Sequence, residues 1–129
     1  MTLIDHASVG VPDIDAARRF YDTVMKALGC DCLAALDGLA AYGTKVPQFV
    51  IILPFDKQAA SAGNGTHVCF AAASTEAVDA FSRAALQNGG SDEGAPGPRP
   101  GYPKAEVYAA FVRDPFGNKL EAIHNGFTA

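Results

Sequence analysis

The sequence predicts an α+β protein built from two β-α-β-β-β modules, and three observations carry that prediction. Placing "DHASVGVPDIDAARRFYDTVMKALG", from Asp5, over "THVCFAAASTEAVDAFSRAALQNGG", from Thr66, gives an ungapped match at an offset of 61 residues. His6 falls on His67, Ala16 on Ala77, Phe20 on Phe81 and Gly29 on Gly90. Each copy then runs through the same order of strand, cap, helix and glycine, and each is followed by short strand-like runs, so internal duplication is the simplest reading.

"LIDHASVGV" alternates as a strand does, Pro12 ends it, and Asp13 is placed to N-cap a helix. Ala17, Phe20, Tyr21, Val24 and Leu28 follow at helical spacing, and Gly29 suits the left-handed position after a helix. Three strands are then expected at roughly 30 to 36, 39 to 44 and 48 to 53. "PFDKQAASAGNG", 54 to 65, reads as a linker between module one, about 1 to 53, and module two, about 66 to 129, within a single domain of 1 to 129. In the second copy Ser74 or Thr75 caps a helix whose apolar stripe is Val78, Phe81 and Ala85, and Gly89 or Gly90 closes it. "SDEGAPGPRPGYPK", 91 to 104, holds four of the eight prolines and reads as a long loop, a candidate lid. "AEVYAAFV" is the next strand, Pro115 and Gly117 make a turn, and "KLEAI" closes the fold.

Composition narrows the function. At 129 residues the chain is long enough to bury a core, and 49% hydrophobic with 19% charged residues is ordinary for a globular protein. A net charge of −4 without a basic run argues against nucleic acid as a partner. No apolar stretch approaches the roughly 20 residues of a membrane span, and "MTLIDHASVG" lacks the basic start of a signal peptide. Cys30, Cys32 and Cys69 are odd in number and form no C-x-x-C pair, so neither a disulfide framework nor a zinc knuckle is expected. A cytoplasmic protein is the expectation.

One residue calls for a special explanation. Glu121 lies in "KLEAIH" on a strand expected to be half buried, and a buried carboxylate must be solvated, paired or bound to a cation. Its strand mate Lys119, or Arg113, is the ordinary ion-pair partner. The alternative is a metal. His6 and His67 share one place in the repeat, and two histidines with one carboxylate are the donors used by non-haem Fe(II) enzymes and suited to Mn(II), Zn(II) or Ni(II). The spacing leaves both readings open. His124 points away by strand alternation. Tyr42, Tyr102 and Tyr108 are candidate proton donors, beside Cys69 on the face of His67; Arg99 and Lys104 are loop cations able to hold an anionic group.

"DHASVGVPDIDAARRFYDTVMKALG", "THVCFA" and "FVRDPFGNKLEAIH" resemble the vicinal-oxygen-chelate superfamily of glyoxalase I, bleomycin resistance proteins, fosfomycin resistance enzymes and extradiol dioxygenases. The resemblance covers nearly the whole chain, and its most specific parts are H-x-x-x-x-V-x-D from His6 and DP-x-G-x-x-x-E ending at Glu121. It implies paired modules forming an incomplete barrel around a central cleft, a homodimer, and a divalent metal (Fe, Mn, Zn or Ni) on His6, His67 and Glu121. Glyoxalase I has a fourth ligand on the last strand of module one, where Ile52 is expected to stand here, an argument against an ordinary lactoylglutathione lyase. The expectation is therefore a metal-dependent enzyme of lyase or isomerase, dioxygenase or thiol-transferase type, with Glu121, Tyr108 and Tyr42 as catalytic residues. The alternative is a metal-free small-molecule binding protein of the bleomycin-resistance type.

Overall fold

The computed structural model describes residues 3–129. In chain order it contains β1 (Ala7–Gly10), α1 (Ile14–Ala27), β2 (Asp31–Ala35), β3 (Leu39–Gly43), β4 (Phe49–Ile52), β5 (His67–Ala71), α2 (Thr75–Gln87), β6 (Ser91–Pro98), β7 (Tyr108–Arg113) and β8 (Lys119–His124). The strands make two four-stranded sheets, ordered β1-β4-β3-β2 and β5-β8-β7-β6, which do not close into a barrel. In each, the first and last strands of the module pair in parallel and the remaining neighbours are antiparallel. This is the β-α-β-β-β pattern, twice.

Local chemistry explains the helices. The Asp13 carboxylate accepts from Ala16 N at 2.7 Å and the Ser74 hydroxyl from Ala77 N at 3.1 Å, each satisfying an amide that the first turn cannot. Gly29, at φ 79°, takes the left-handed position after α1. After α2 that role belongs to Gly89, at φ 94°. Gly90 serves a different purpose, since a Cβ there would lie 2.7 Å from Arg113 O and 2.8 Å from Ala85 O.

The helices pack on each other and on the inward face of both sheets. Phe20, Tyr21 and Val24 of α1, Val78 and Phe81 of α2, Ile51 of β4 and Val112 and Leu120 of the second sheet are fully enclosed in one core. Each such side chain contributes about 1.5–3 kcal/mol relative to exposure. A polar tie crosses the modules: buried Asp114 accepts from the Tyr21 hydroxyl at 2.6 Å and from Asn118 Nδ2 at 2.8 Å, while Asn118 Nδ2 also donates to Gly10 O at 2.9 Å. Period-two alternation then sorts every strand. Val9, Val68, Phe70, Val112, Leu120 and Ala122 face the helices, and their neighbours, including His67, Cys69, Phe111, Lys119 and Glu121, take the outer face.

The stretch 91 to 104, expected to be all loop, is half strand: β6 spans Ser91–Pro98 and pairs with β7. Prolines are tolerated because β6 is an edge strand and its register shifts between Asp92 and Gly94 and again between Gly94 and Gly97. The connection to β7 is therefore shortened to residues 99 to 107. Among the described residues, no helix is long and apolar enough to cross a membrane.

Candidate functional site

The outer face of the second sheet is where Glu121 lies. It sits on β8, one strand in from the edge, opposite Cys69 of β5 on one side and Phe111 of β7 on the other. Only 3% of the residue is exposed. Both carboxylate oxygens are engaged: Oε1 is 3.0 Å from His67 Nε2, and Oε2 accepts from the Tyr102 hydroxyl at 2.6 Å. Two directional partners offset the desolvation of a carboxylate that water barely reaches.

Neither ordinary ion-pair partner is used. Lys119 shares the face of Glu121, but its ammonium stands over the Phe111 ring, 5.3 Å from the centroid. Arg113 donates to Glu93 at 2.5 Å and to Gly117 O at 2.8 Å. Glu121 instead takes one imidazole and one phenol, and this marks the site as something other than a surface charge pair.

The surroundings hold protons in place. Burial first, then the hydrogen bond and charge of Glu121, push the Tyr102 phenol above its ordinary range. Burial, followed by the Glu121 charge and hydrogen bond, pushes the Cys69 thiol up as well. Cys69 is thus a protonated thiol at neutral pH and a weak nucleophile.

His6 does not join this group within one chain. It precedes β1 by one residue, its side chain is 59% exposed, and its Nδ1 is 2.6 Å from Asp5 Oδ1. Counting back from Val9 and Val11, which face the core, His6 belongs to the outer face of the first sheet. With His67, Met25, Tyr42 and Cys69 it lines a groove of about 570 Å³. Among the described residues, no three His, Cys, Asp or Glu side chains converge as a metal-binding group. The register also revises one position: Glu121 pairs with Cys69, the repeat equivalent of Cys69 is Ser8, and Ser8 pairs with Val50. Val50, and not Ile52, therefore occupies the place of Glu121 in module one, and it too offers no ligand atom.

Two of the expected catalytic residues are elsewhere. The Tyr42 hydroxyl donates to Asp22 of α1 at 2.7 Å and the Tyr108 hydroxyl to Asp79 of α2 at 2.6 Å, so both are tied to helices and neither reaches Glu121. Burial pushes the Tyr42 phenol up, with Asp22 adding to it; for Tyr108 the hydrogen bond to Asp79 does most. His124 turns its Nδ1 to Ala72 O at 3.1 Å, away from Glu121 as strand alternation requires. Tyr102 is the tyrosine at the site. The 99-to-107 connection delivers it, pinned where Lys104 donates to Gly126 O and Asn125 to Ala105 O and Glu106 O. Its pairing with Glu121, nineteen residues away, has no local sequence signal.

Comparison with known proteins agrees with this architecture. The model of the glyoxalase/bleomycin resistance protein/dioxygenase superfamily matches residues 3–122. A glyoxalase/bleomycin resistance protein from Albidiferax ferrireducens T118 is 36% identical, with a TM-score of 0.87 over 97% of this chain and 100% of that one. Two more distant structures share the fold. A lactoylglutathione lyase from Agrobacterium tumefaciens is 20% identical, with a TM-score of 0.67 over 97% of this chain and 95% of that one. A glyoxalase-related enzyme from Fulvimarina pelagi is 17% identical, with a TM-score of 0.71 over 97% and 89%. A comparison with curated proteins gives no match.

Proposed function

The chain belongs to the glyoxalase/bleomycin resistance protein/dioxygenase superfamily, and from that premise we propose that it is a divalent-metal-dependent enzyme acting on a small oxygen-bearing substrate at the outer face of the second sheet. The observation that carries the reading is the buried Glu121 carboxylate held between His67 and Tyr102. Imidazole and carboxylate are the donor types that Fe(II), Mn(II), Zn(II) and Ni(II) accept, so the residues fit such an ion. His67 and Glu121 would hold it together with His6. Because His6 lies on the outer face of the other sheet, we assign it to a second copy of the chain in a homodimer.

When bound, the cation would act as a Lewis acid on a substrate carbonyl or enolate oxygen. The chain's own residues supply the rest. Tyr102 holds one oxygen of the Glu121 carboxylate and fixes its orientation, and without a cation His67 holds the other. Tyr102 keeps its proton and gives it to Glu121 Oε2 in a hydrogen bond, which leaves its phenol oxygen to accept from a substrate hydroxyl there. Phe111, opposite Glu121 on β7, sets an aromatic ring beside it.

The second reading, a metal-free binding protein of the bleomycin-resistance type, draws on the fact that Glu121 is fully partnered without a cation. Glu121→Gln separates the two. It keeps the side-chain volume and removes the ligand charge, so the enzyme reading expects loss of both metal retention and turnover with unchanged circular dichroism. Undiminished metal retention in the variant would remove Glu121 from the site.

A further inference from the structure

Resting on the reading of this face as the substrate site, we propose that Lys119 makes it selective for small organic anions, the anionic group sitting at Lys119 beside His67 while a neighbouring substrate oxygen faces Glu121. Lys119 is directly opposite His67 across the β5–β8 ladder, and it lies two residues before Glu121 on the same face. Adjacent strands are about 4.8 Å apart and two residues along a strand span about 7 Å. An anion at Lys119 is therefore next to His67 and within a few bonds of Glu121.

The cations nearby are not equivalent. Arg113 is neutralised by Glu93. Lys104 is spent on the carbonyls of Gly126 and Ala129. Arg99 stands 5.7 Å from the Phe111 centroid, but its terminal nitrogens donate to the carbonyls of Gly94, Ala95, Gly97 and Pro98, so it adds positive charge to the face without a free fork. Lys119 has neither an ion pair nor a hydrogen bond among the described residues. Glu121 forms no ion pair with it, its two oxygens being hydrogen-bonded to His67 and Tyr102. A half-buried ammonium with three unused donors over an aromatic ring is a ready partner for a carboxylate or phosphonate oxygen. The short span to Glu121 selects molecules of a few carbons, such as 2-oxo or 2-hydroxy acids.

The test uses an acid and its neutral ester. Full-length protein, stripped with chelator and separately reloaded with Mn(II), is titrated with pyruvate and with methyl pyruvate while amide chemical shifts are followed. Wild type is expected to bind pyruvate at least about tenfold more tightly than the ester, the size of one charge-assisted hydrogen bond. Lys119→Gln should erase that preference without changing ester binding, and Lys119→Arg should retain it. Equal affinities in wild type, no saturable binding of pyruvate, or a preference that survives in Lys119→Gln would overturn the assignment. If the metal reading is the one that fails, the preference persists in stripped protein and is unaltered by Mn(II). If the anion inference fails, the preference is missing in both preparations whatever metal the protein retains.

Discussion

Replacing Tyr102 with Phe removes a single hydroxyl and tests the geometry around Glu121 directly. The lost bond is a 2.6 Å contact from a phenol to a carboxylate whose residue is 3% exposed. Hydrogen bonds to charged groups contribute about 1.5–3 kcal/mol, and because Tyr102 is itself half-buried, water can partly replace it, so about 1–2 kcal/mol is expected. For a chain of this size that corresponds to a fall in Tm of roughly 4–8 °C. The effect carries a pH signature. Burial and Glu121 raise the folded-state pKa of Tyr102, so the folded protein holds that proton more tightly than the unfolded chain. The stabilisation is present in full below the unfolded value of about 10 and is lost as pH rises through the higher folded value. Thermal melts of wild type and Tyr102→Phe from neutral to alkaline pH should show a gap that is constant at first and narrows above about pH 10. An unchanged Tm at neutral pH, or a gap that widens in alkali, would refute the proposed bond.

Other perturbations probe the same structure. Because burial and then the Glu121 charge raise the Cys69 thiol, Glu121→Gln should lower its pKa part of the way and speed alkylation of Cys69 by iodoacetamide at mildly alkaline pH, read by peptide mass spectrometry; an equal or slower rate would contradict the adjacency. Gly90→Ala places a Cβ within 2.9 Å of Phe20 Cε2 as well as against two backbone carbonyls, so overpacking should cost about 1–3 kcal/mol in urea denaturation. Gly29→Ala meets open space and carries only the strain of φ +79°, about 1 kcal/mol; equal losses at the two glycines would contradict their different roles.

Much of this fold is legible in the chain because local chemistry and tertiary packing agree. Asp13, Ser74 and Gly29 mark helix ends that the structure keeps, and Phe20, Phe81 and their helical neighbours go inside as their spacing requires. The reading fails where tertiary context overrules local preference. The prolines and glycines of 91 to 98 look like loop, yet an irregular edge strand has little need of the amide hydrogens that Pro96 and Pro98 lack. Glu121 is conspicuous in the sequence as a carboxylate between apolar residues. Its partner Tyr102 is not, since only the path of the 99-to-107 connection brings that phenol back. Tyr42 and Tyr108 carry the same chemistry as Tyr102, but the parity of their strands turns them toward Asp22 and Asp79. The offset of 61 aligns the two histidines correctly, while the ladder register is needed to show that Val50 matches Glu121.

Metal content distinguishes a cation site at Glu121 from a cleft without one. The protein would be purified without chelator and its metal measured by elemental analysis beside His67→Ala and His6→Ala. About one divalent ion per chain is expected in wild type, sharply reduced in both variants while each remains folded and dimeric. Wild-type protein that stays metal-free after reconstitution with Fe(II), Mn(II), Zn(II) and Ni(II) would contradict it, and would leave the His67–Glu121–Tyr102 group as part of a binding cleft without a cation.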